Sequence, residues 1–346
     1  MAAFYSRRKI IATAGSVALA TPFLSLVGRD AAAGEVVFHG TTMGTTYSVR
    51  IPHLPMTVDV GALKRDIGNV LEAVNEQMST YRSLSELSRF NTGGGQIWTP
   101  VSPDVATVAR AALATSQVSG GAYDPTIGPL VSLWGFGAGS KVQAVPDAGE
   151  IEARRRSIGH GYLQTRTKSP ALLKMRQGLH VDLSGIAKGF AADKVAEHLE
   201  RIDIERYLFE IGGEVRVHGH GRSGNFWRIG IEHPDGAGVQ RIIRLAAGAI
   251  ATSGDYRHFF KSWGRRYSHI LDPRDGRPVA HGLASVTVVA PTAMAADAFS
   301  TALMVLGPDQ GLALAGQRDI AAYFLARAGG RLRETASPAF LPLISG

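Results

Sequence analysis

A chain of 346 residues with 45% apolar and 19% charged side chains can bury one large core or two smaller ones, and is too apolar for a disordered polyampholyte. It has no cysteine, which excludes disulfide scaffolds, thiolate zinc sites, iron–sulfur clusters and cysteine nucleophiles together. Its formal charge of +8 is spread without a basic block, which speaks against a nucleic-acid partner.

The first 33 residues predict an export signal. Arg7 and Arg8 precede a moderately apolar stretch, Ile10 to Val27, and Ala31-Ala32-Ala33 offers small residues to a signal peptidase. The arginine pair favours the twin-arginine route and a periplasmic location. The alternative is that the segment stays uncleaved as a membrane anchor. Lipoprotein attachment is excluded by the missing cysteine. Cleavage after residue 33 removes four cations and one acid, lowering the charge from +8 to +5. That mild excess suits an anionic ligand and leaves room for a peripheral membrane contact. Beyond this segment no run of about 20 apolar residues occurs, so a polytopic membrane protein is excluded.

Residues 34–346 are expected to form one domain. Glu35–Phe38 and Thr45–Ile51 alternate like strands. Gly61–Met78 is an amphipathic helix, with Leu63, Ile67, Val70, Leu71, Val74 and Met78 on one face. Ser102-Pro103-Asp104 starts a second helix running to about Val118, and Ile186–Arg201 is a third. Strands are predicted at Tyr207–Ile211, Glu214–His218, Trp227–Glu232, Ile242–Ala246, Tyr267–Leu271, Ser285–Val289 and Ile320–Leu325. Ala293–Leu306 and Gln310–Ala315 look helical. Antiparallel-looking strands separated by single helices indicate an α+β fold, with mixed or antiparallel sheets, rather than a βαβ repeat.

Gly219-His220-Gly221-Arg222-Ser223-Gly224 matches the dinucleotide-binding pattern, but its mechanism needs a helix to follow. Asn225–Ile231 is strand-like, so this is expected to be a hairpin tip. No phosphate-binding GxxxxGK[ST] loop, HExxH helix or GxSxG elbow occurs, and the eleven histidines lack paired ligand spacing.

Three segments carry the chemistry. In Asp182-Leu183-Ser184-Gly185-Ile186-Ala187-Lys188-Gly189 a strand end delivers an acid into a tight turn that opens a helix. Lys188 in the first helical turn opposes the helix dipole, which either marks a nearby anion or a merely solvated lysine. Asp297 and Thr301 are four apart on a helix among small residues. They suit a hard cation such as Mg²⁺, or a cap region with a core threonine. His269, predicted on a strand before the Asp272-Pro273 turn, is either a proton carrier or an ordinary strand histidine. Ala251–Tyr256 and Gly120–Pro129 are rich in turn chemistry and suit the lining of a pocket.

Taken in order, these segments and their neighbours resemble the ApbE family of FAD:protein FMN transferases. The resemblance spans about Gly40 to Gly307 and rests on eight linked motifs. They are Thr42-Met43-Gly44-Thr45, Met78-Ser79-Thr80-Tyr81, Ala122-Tyr123-Asp124-Pro125-Thr126, Asp182–Gly189, Gly212-Gly213-Glu214, Ala251–Tyr256, His269-Ile270-Leu271-Asp272-Pro273 and Asp297-Ala298-Phe299-Ser300-Thr301. The resemblance implies cleavage of FAD with Mg²⁺, release of AMP, and attachment of FMN through a phosphoester to a threonine or serine of a target protein. It implies that the Gly185 carbonyl, Asp297 and Thr301 hold the metal. Met43, Tyr81, Ala122, Tyr123, Asp124, Asp182, Lys188 and Ile270 match positions that contact FAD, Ser300 lies beside the site within reach of the flavin, and His269 matches the histidine that assists phosphoryl transfer.

Two departures stand out. Gly185 replaces the usual small residue such as alanine, and Asp275-Gly276 replaces the usual Thr-Gly. The first makes the turn looser but keeps the carbonyl, the second exchanges one good turn former for another, and the turn geometry is expected to survive both. Alternatives for function are an exported FAD carrier without chemistry and an FAD pyrophosphatase without a protein acceptor. The expected acceptor is a membrane-associated electron-transfer subunit, a client of the NosX-like branch being one candidate.

Overall fold

The computed structural model describes residues 35–138, 144–221, 224–236 and 238–344. The export signal or anchor predicted over residues 1–33 lies outside the described residues. An eight-stranded sheet runs through the middle of the fold. In spatial order its strands are Val36–Thr42, Thr45–Ile51, Tyr207–Ile211, Glu214–His218, Gly248–Gly254, Leu283–Ala290, Ala321–Ala328 and Arg331–Ala336. Every neighbouring pair is antiparallel, so the predicted α+β class is the observed one.

Both faces of the sheet are covered, and the side-chain alternation of the central strands shows how. Tyr207, Phe209 and Ile211 join the core under a layer of helices, while Leu208 joins a second core on the opposite face. Ala322 and Phe324 likewise face the helices, whereas Tyr323 and Leu325 pack with the second core. The helical layer comprises Val60–Met78, Pro103–Val118, Ala187–Arg201 and Ala293–Gln317. On the other face lies a separate hairpin, Trp227–Glu232 with Val239–Leu245, together with Phe340.

The helix Val60–Met78 buries Leu63, Ile67, Leu71, Val74 and Met78 of the predicted stripe and leaves Val70 partly buried against the same core, and the Asp59 carboxylate caps its start by accepting from the Ala62 N–H at 2.7 Å. Each such aliphatic side chain contributes about 1.5–3 kcal/mol by leaving water. Ser102 caps the Pro103–Val118 helix in the same way. Ala293–Gln317 is interrupted at Gly307, whose φ is 82°, ahead of Pro308. The two helical pieces expected there are therefore two arms of one kinked element.

Three expectations need correction. Ala251–Gly254, expected as turn, belongs to the strand Gly248–Gly254 between two partners. The strand expected over Tyr267–Leu271 ends at Ser268, and His269 sits in the bend that follows. Gly219–Gly224 links a sheet strand to the separate hairpin, so it is no tip between paired strands, although a strand does follow it. The sequence reading also passed over three short helices, Glu86–Thr92, Gly128–Leu133 and Ala148–Ser157, and a small sheet of Trp98–Pro100, Leu163–Arg166 and Ala171–Lys174.

Candidate active site

Where the Tyr207–His218 strands and Gly248–Gly254 meet the starts of two helices, the molecule opens a cleft of about 650 Å³, a size usual for a small-molecule pocket. All the predicted site residues except Ser300 line it: Met43, Tyr81, Ala122, Tyr123, Asp124, Asp182, Gly185, Lys188, His269, Ile270, Asp297 and Thr301. Tight local structure brings them there. Met43 and Gly44 form the two-residue turn between the first two strands, and Met43 has a φ of 50°. A bulky residue in that left-handed region is strained, and such strain concentrates at binding sites. Asp182 accepts from the Ser184 N–H at 2.9 Å, and the Asp182 N–H donates to Pro125 O at 2.7 Å, tying the second loop to the first. Asp124 organises that first loop, accepting from the Thr126 N–H, the Thr126 hydroxyl and the His160 N–H at 2.8, 2.6 and 2.9 Å.

One end of the cleft gathers hard oxygen donors. Gly185 lies so close to Thr301 that a Cβ on it would stand 3.2 Å from Thr301 Oγ1. One turn earlier on the Thr301 helix is Asp297, only 3% exposed, whose Oδ2 accepts from the Gly189 N–H at 3.0 Å. Lys188 Nζ meets Glu214 Oε1 at 2.5 Å. Burial pushes the Asp297 carboxyl up, against the opposing pull of Lys188 and the Gly189 amide. Burial likewise pushes Glu214 up, with Lys188 opposing and Asp297 adding to it. Burial alone would lower the Lys188 ammonium, but the Glu214 and Asp297 carboxylates outweigh it and the net is a rise.

This end fits a divalent cation. It holds two buried acids beside one ammonium, and burial raises both carboxyls despite that ammonium, the behaviour of a dry acidic site that a further cation would stabilise. Glu214 Oε2 and the Tyr123 hydroxyl are buried without a hydrogen-bond partner. A backbone carbonyl, a carboxylate and a hydroxyl are the donors that Mg²⁺ accepts. No group of three His, Asp or Glu side chains suited to a metal occurs among the described residues, which leaves this oxygen set as the candidate.

Ser300 is placed differently from the rest. It is 1% exposed, donates to Asp297 O at 2.9 Å and meets Ser253 Oγ at 2.9 Å. Ser253 in turn lies 3.3 Å from Thr301 Oγ1. Ser300 thus stands behind the cleft wall and orients Ser253 and, through it, the Thr301 hydroxyl. It lies beside the site, as expected, and is not among the residues that line the cleft.

At another wall His269 Nδ1 is 3.0 Å from the carbonyl of His258. A carbonyl only accepts, so Nδ1 carries the proton and neutral His269 has a bare Nε2. Burial, and then the neighbouring His258, push the imidazole down to about 4. Phe136 packs edge-on against the ring, with centroids 6.3 Å apart. Tyr81, 72% exposed, stands at the rim and its hydroxyl reaches Phe136 O at 3.5 Å.

Glu210, Arg257, His258 and Phe136 also line the cleft and carry no expectation from the sequence, while Ser253 lies in the segment expected to line a pocket and Glu214 in a motif to which no chemical role was attached. Glu210 and Glu214 flank the turn Gly212-Gly213, both at positive φ, and Glu210 accepts from the Gly213 N–H at 2.9 Å. That Gly-Gly turn between acids was the available signal.

The ApbE family's sequence profile matches residues 43–324 of this chain. The chain belongs to the ApbE family. Across its length this ApbE chain is 44% identical to the FAD:protein FMN transferase of Vibrio cholerae over 331 residues, covering 95% of this chain and 98% of that one. It is 36% identical to the FAD:protein FMN transferase of Escherichia coli K12 over 336 residues, covering 94% and 95%. The solved flavin transferase ApbE from Vibrio cholerae superposes with a TM-score of 0.84 at 43% identity, covering 89% of this chain and 99% of that structure. The apo flavinyl transferase ApbE of Pseudomonas stutzeri gives 0.83 at 39% identity, covering 90% and 97%. The ApbE fold thus accounts for the sheet, the helical layer and the cleft between them.

Proposed function

We propose that this chain transfers the FMN half of FAD to a threonine or serine hydroxyl of a target protein, making a phosphoester and releasing AMP. The relatives bear the name of that activity. The observation that carries it to this chain is the convergence, in one cleft, of Gly185, Asp297 and Thr301 with Lys188 and a neutral His269. Such a transfer asks for charge neutralisation on the anhydride and an aligned hydroxyl, with no covalent protein nucleophile.

The Gly185 carbonyl, the Asp297 carboxylate and the Thr301 hydroxyl would hold Mg²⁺, which when bound supplies neutralisation of the phosphoanhydride charge. Lys188 keeps two of its three N–H donors beyond the Glu214 pair, free for a phosphate oxygen. Met43, Ala122, Tyr123, Asp124, Asp182 and Ile270 wall the FAD, and Tyr81 offers an exposed ring for stacking. Nε2 of His269 takes the proton of the acceptor hydroxyl. The acceptor oxygen bonds to the FMN phosphorus, the anhydride P–O bond breaks, and the electron pair leaves on AMP.

The test is to incubate the chain with FAD, Mg²⁺ and a peptide bearing an acceptor threonine. The expected product is a peptide heavier by one FMN phosphoryl group, with AMP in equal amount and neither product in excess chelator. AMP without an acceptor would make the protein an FAD pyrophosphatase, and intact FAD would make it a carrier. The proposal includes export by residues 1–33 and an acceptor on a membrane-associated electron-transfer subunit outside the cytoplasm.

A further inference from the structure

Two short strands, Phe259–Ser262 and Arg265–Ser268, pair only with each other. Their base belongs to the cleft, since Arg257, His258, Phe259 and His269 line it. Their tip does not. There Trp263 is 100% exposed, at a φ of 50°, and it makes no ring contact among the described residues. Its neighbour Gly264 has open space around it.

An indole held wholly in solvent, on a backbone that disfavours it, gains nothing from the fold. The residues around it select the occupant. From Phe259 to Ser268 the hairpin carries Lys261, Arg265 and Arg266 and no acid. Arg266 is engaged by Asp255 at 3.4 Å, whereas Lys261 and Arg265 are exposed and make no salt bridge among the described residues. A lone Trp between cations is the composition that settles at a lipid–water boundary, with the ring at headgroup depth and the cations on anionic phosphates.

We infer that the Phe259–Ser268 hairpin docks this chain on an anionic phospholipid bilayer, with Trp263 as the inserted residue and Lys261 and Arg265 as its charged flank. The arrangement sets the cleft at a fixed height. Four residues per strand at ~3.3 Å each hold the His258–His269 wall about 13 Å from the tip. The inference stands apart from the chemistry proposed for the cleft.

The experiment mixes the full chain with vesicles of phosphatidylglycerol and brominated phosphatidylcholine and follows tryptophan emission. Bromine quenches only rings that reach the bilayer, so the readout stays specific even if residues 1–33 also bind lipid. The expected result is quenching in the wild type and loss of that quenched component in Trp263→Asn, which keeps Trp98, Trp134 and Trp227. Asparagine tolerates positive φ, so this variant keeps the turn. A Lys261→Gln/Arg265→Gln pair should weaken the quenched state about 10-fold or more, as should high salt. Equal quenching in wild type and Trp263→Asn overturns the inference. So does quenching that ignores phosphatidylglycerol. A drop in FMN transfer to a water-soluble acceptor without vesicles, caused by Trp263→Asn, would also overturn it, because the tip would then contact a protein client.

Discussion

Asp193 and Asp297 cap each other's helices. Asp193, in Ala187–Arg201, accepts the Ala293 and Met294 amide hydrogens at 2.8 Å each, at the start of Ala293–Gln317. Asp297, in that second helix, returns the contact by accepting from the Gly189 N–H of the first at 3.0 Å. The helices approach so closely that a Cβ on Gly189 would lie 2.2 Å from Ala293 O. The reciprocal caps tie the two helix starts together beside the oxygen-rich end of the cleft, with Asp297 on the cleft side and Asp193 off it.

The two aspartates should therefore separate by mutation. Asp193 lies off the cleft, so Asp193→Ala should cost about 2 kcal/mol of stability and lower transfer only in proportion to the folded fraction. Asp297→Asn keeps an acceptor for the Gly189 amide but removes the charge. It should retain most of the stability and lose about 10²–10⁴-fold in transfer rate. Thermal melts paired with a mass-spectrometric transfer assay check both. Parallel losses in stability and rate for Asp297→Asn would make it a structural residue only.

How much of this was legible in the sequence follows the physics of each element. Val60–Met78 is legible through its apolar spacing and Pro103–Val118 through its Ser102-Pro103-Asp104 start. Gly248–Gly254 is not, because Gly-Ala-Ile-Ala-Thr-Ser-Gly has weak strand propensity and is held extended by its two neighbours. Ala148–Ser157 is almost wholly polar, with only Ile151 buried, so periodicity was silent; its Asp147/Glu150 capping box was the signal to follow. In the cleft, the motifs named the residues, but burial decided their partners. Lys188 looked like a cation awaiting an anion, and Glu214, a strand acid of the sort usually solvated, turned out to be that anion. Ser300 shares a helix with Asp297 and Thr301, yet a 1%-exposed position is visible only in three dimensions.

The depressed imidazole of His269 sets the pH behaviour. Because its folded pKa is about 4 against an ordinary 6.5, the ring is neutral through the neutral range and able to accept a proton. The acid limb of the transfer rate should lie near pH 4, well below the ordinary histidine value. The contribution to stability has the same sign. It is fully present above pH 6.5 and is lost as pH falls through the folded value near 4. His269→Gln should slow transfer about 10²–10⁴-fold and flatten that limb. An acid limb in the variant that matches the wild type would assign it to another group.

The proposed export would rest on residues 1–33, with the paired arginines as its separable part. Changing Arg7→Lys and Arg8→Lys together keeps the charge and the apolar stretch while removing the feature a twin-arginine translocase reads. Cell fractionation should then find the chain retained in the cytoplasm, with the cleft residues and transfer activity in lysate unchanged. Undiminished periplasmic recovery would assign export to another route.

The Lys188–Glu214 pair predicts an asymmetry. The Lys188 side chain is 29% exposed while that of Glu214 is 4% exposed. Lys188→Met leaves the buried Glu214 carboxyl next to Asp297 without the ammonium that opposes the burial of both, at a cost of about 3–5 kcal/mol. Glu214→Gln leaves an ammonium that still faces Asp297 and can draw water from the cleft, at a cost nearer 1 kcal/mol. The double variant should recover part of the Lys188→Met loss, since no buried charge of the pair is then stranded. Transfer should follow the opposite logic to a simple ion-pair role. Lys188→Met should abolish most of it, whereas Glu214→Gln should leave a measurable fraction because the ammonium proposed to meet the phosphates survives. Denaturant unfolding of the three variants, read beside their transfer rates, decides the matter. Equal destabilisation by both single changes would show the pair to be no more than a surface contact.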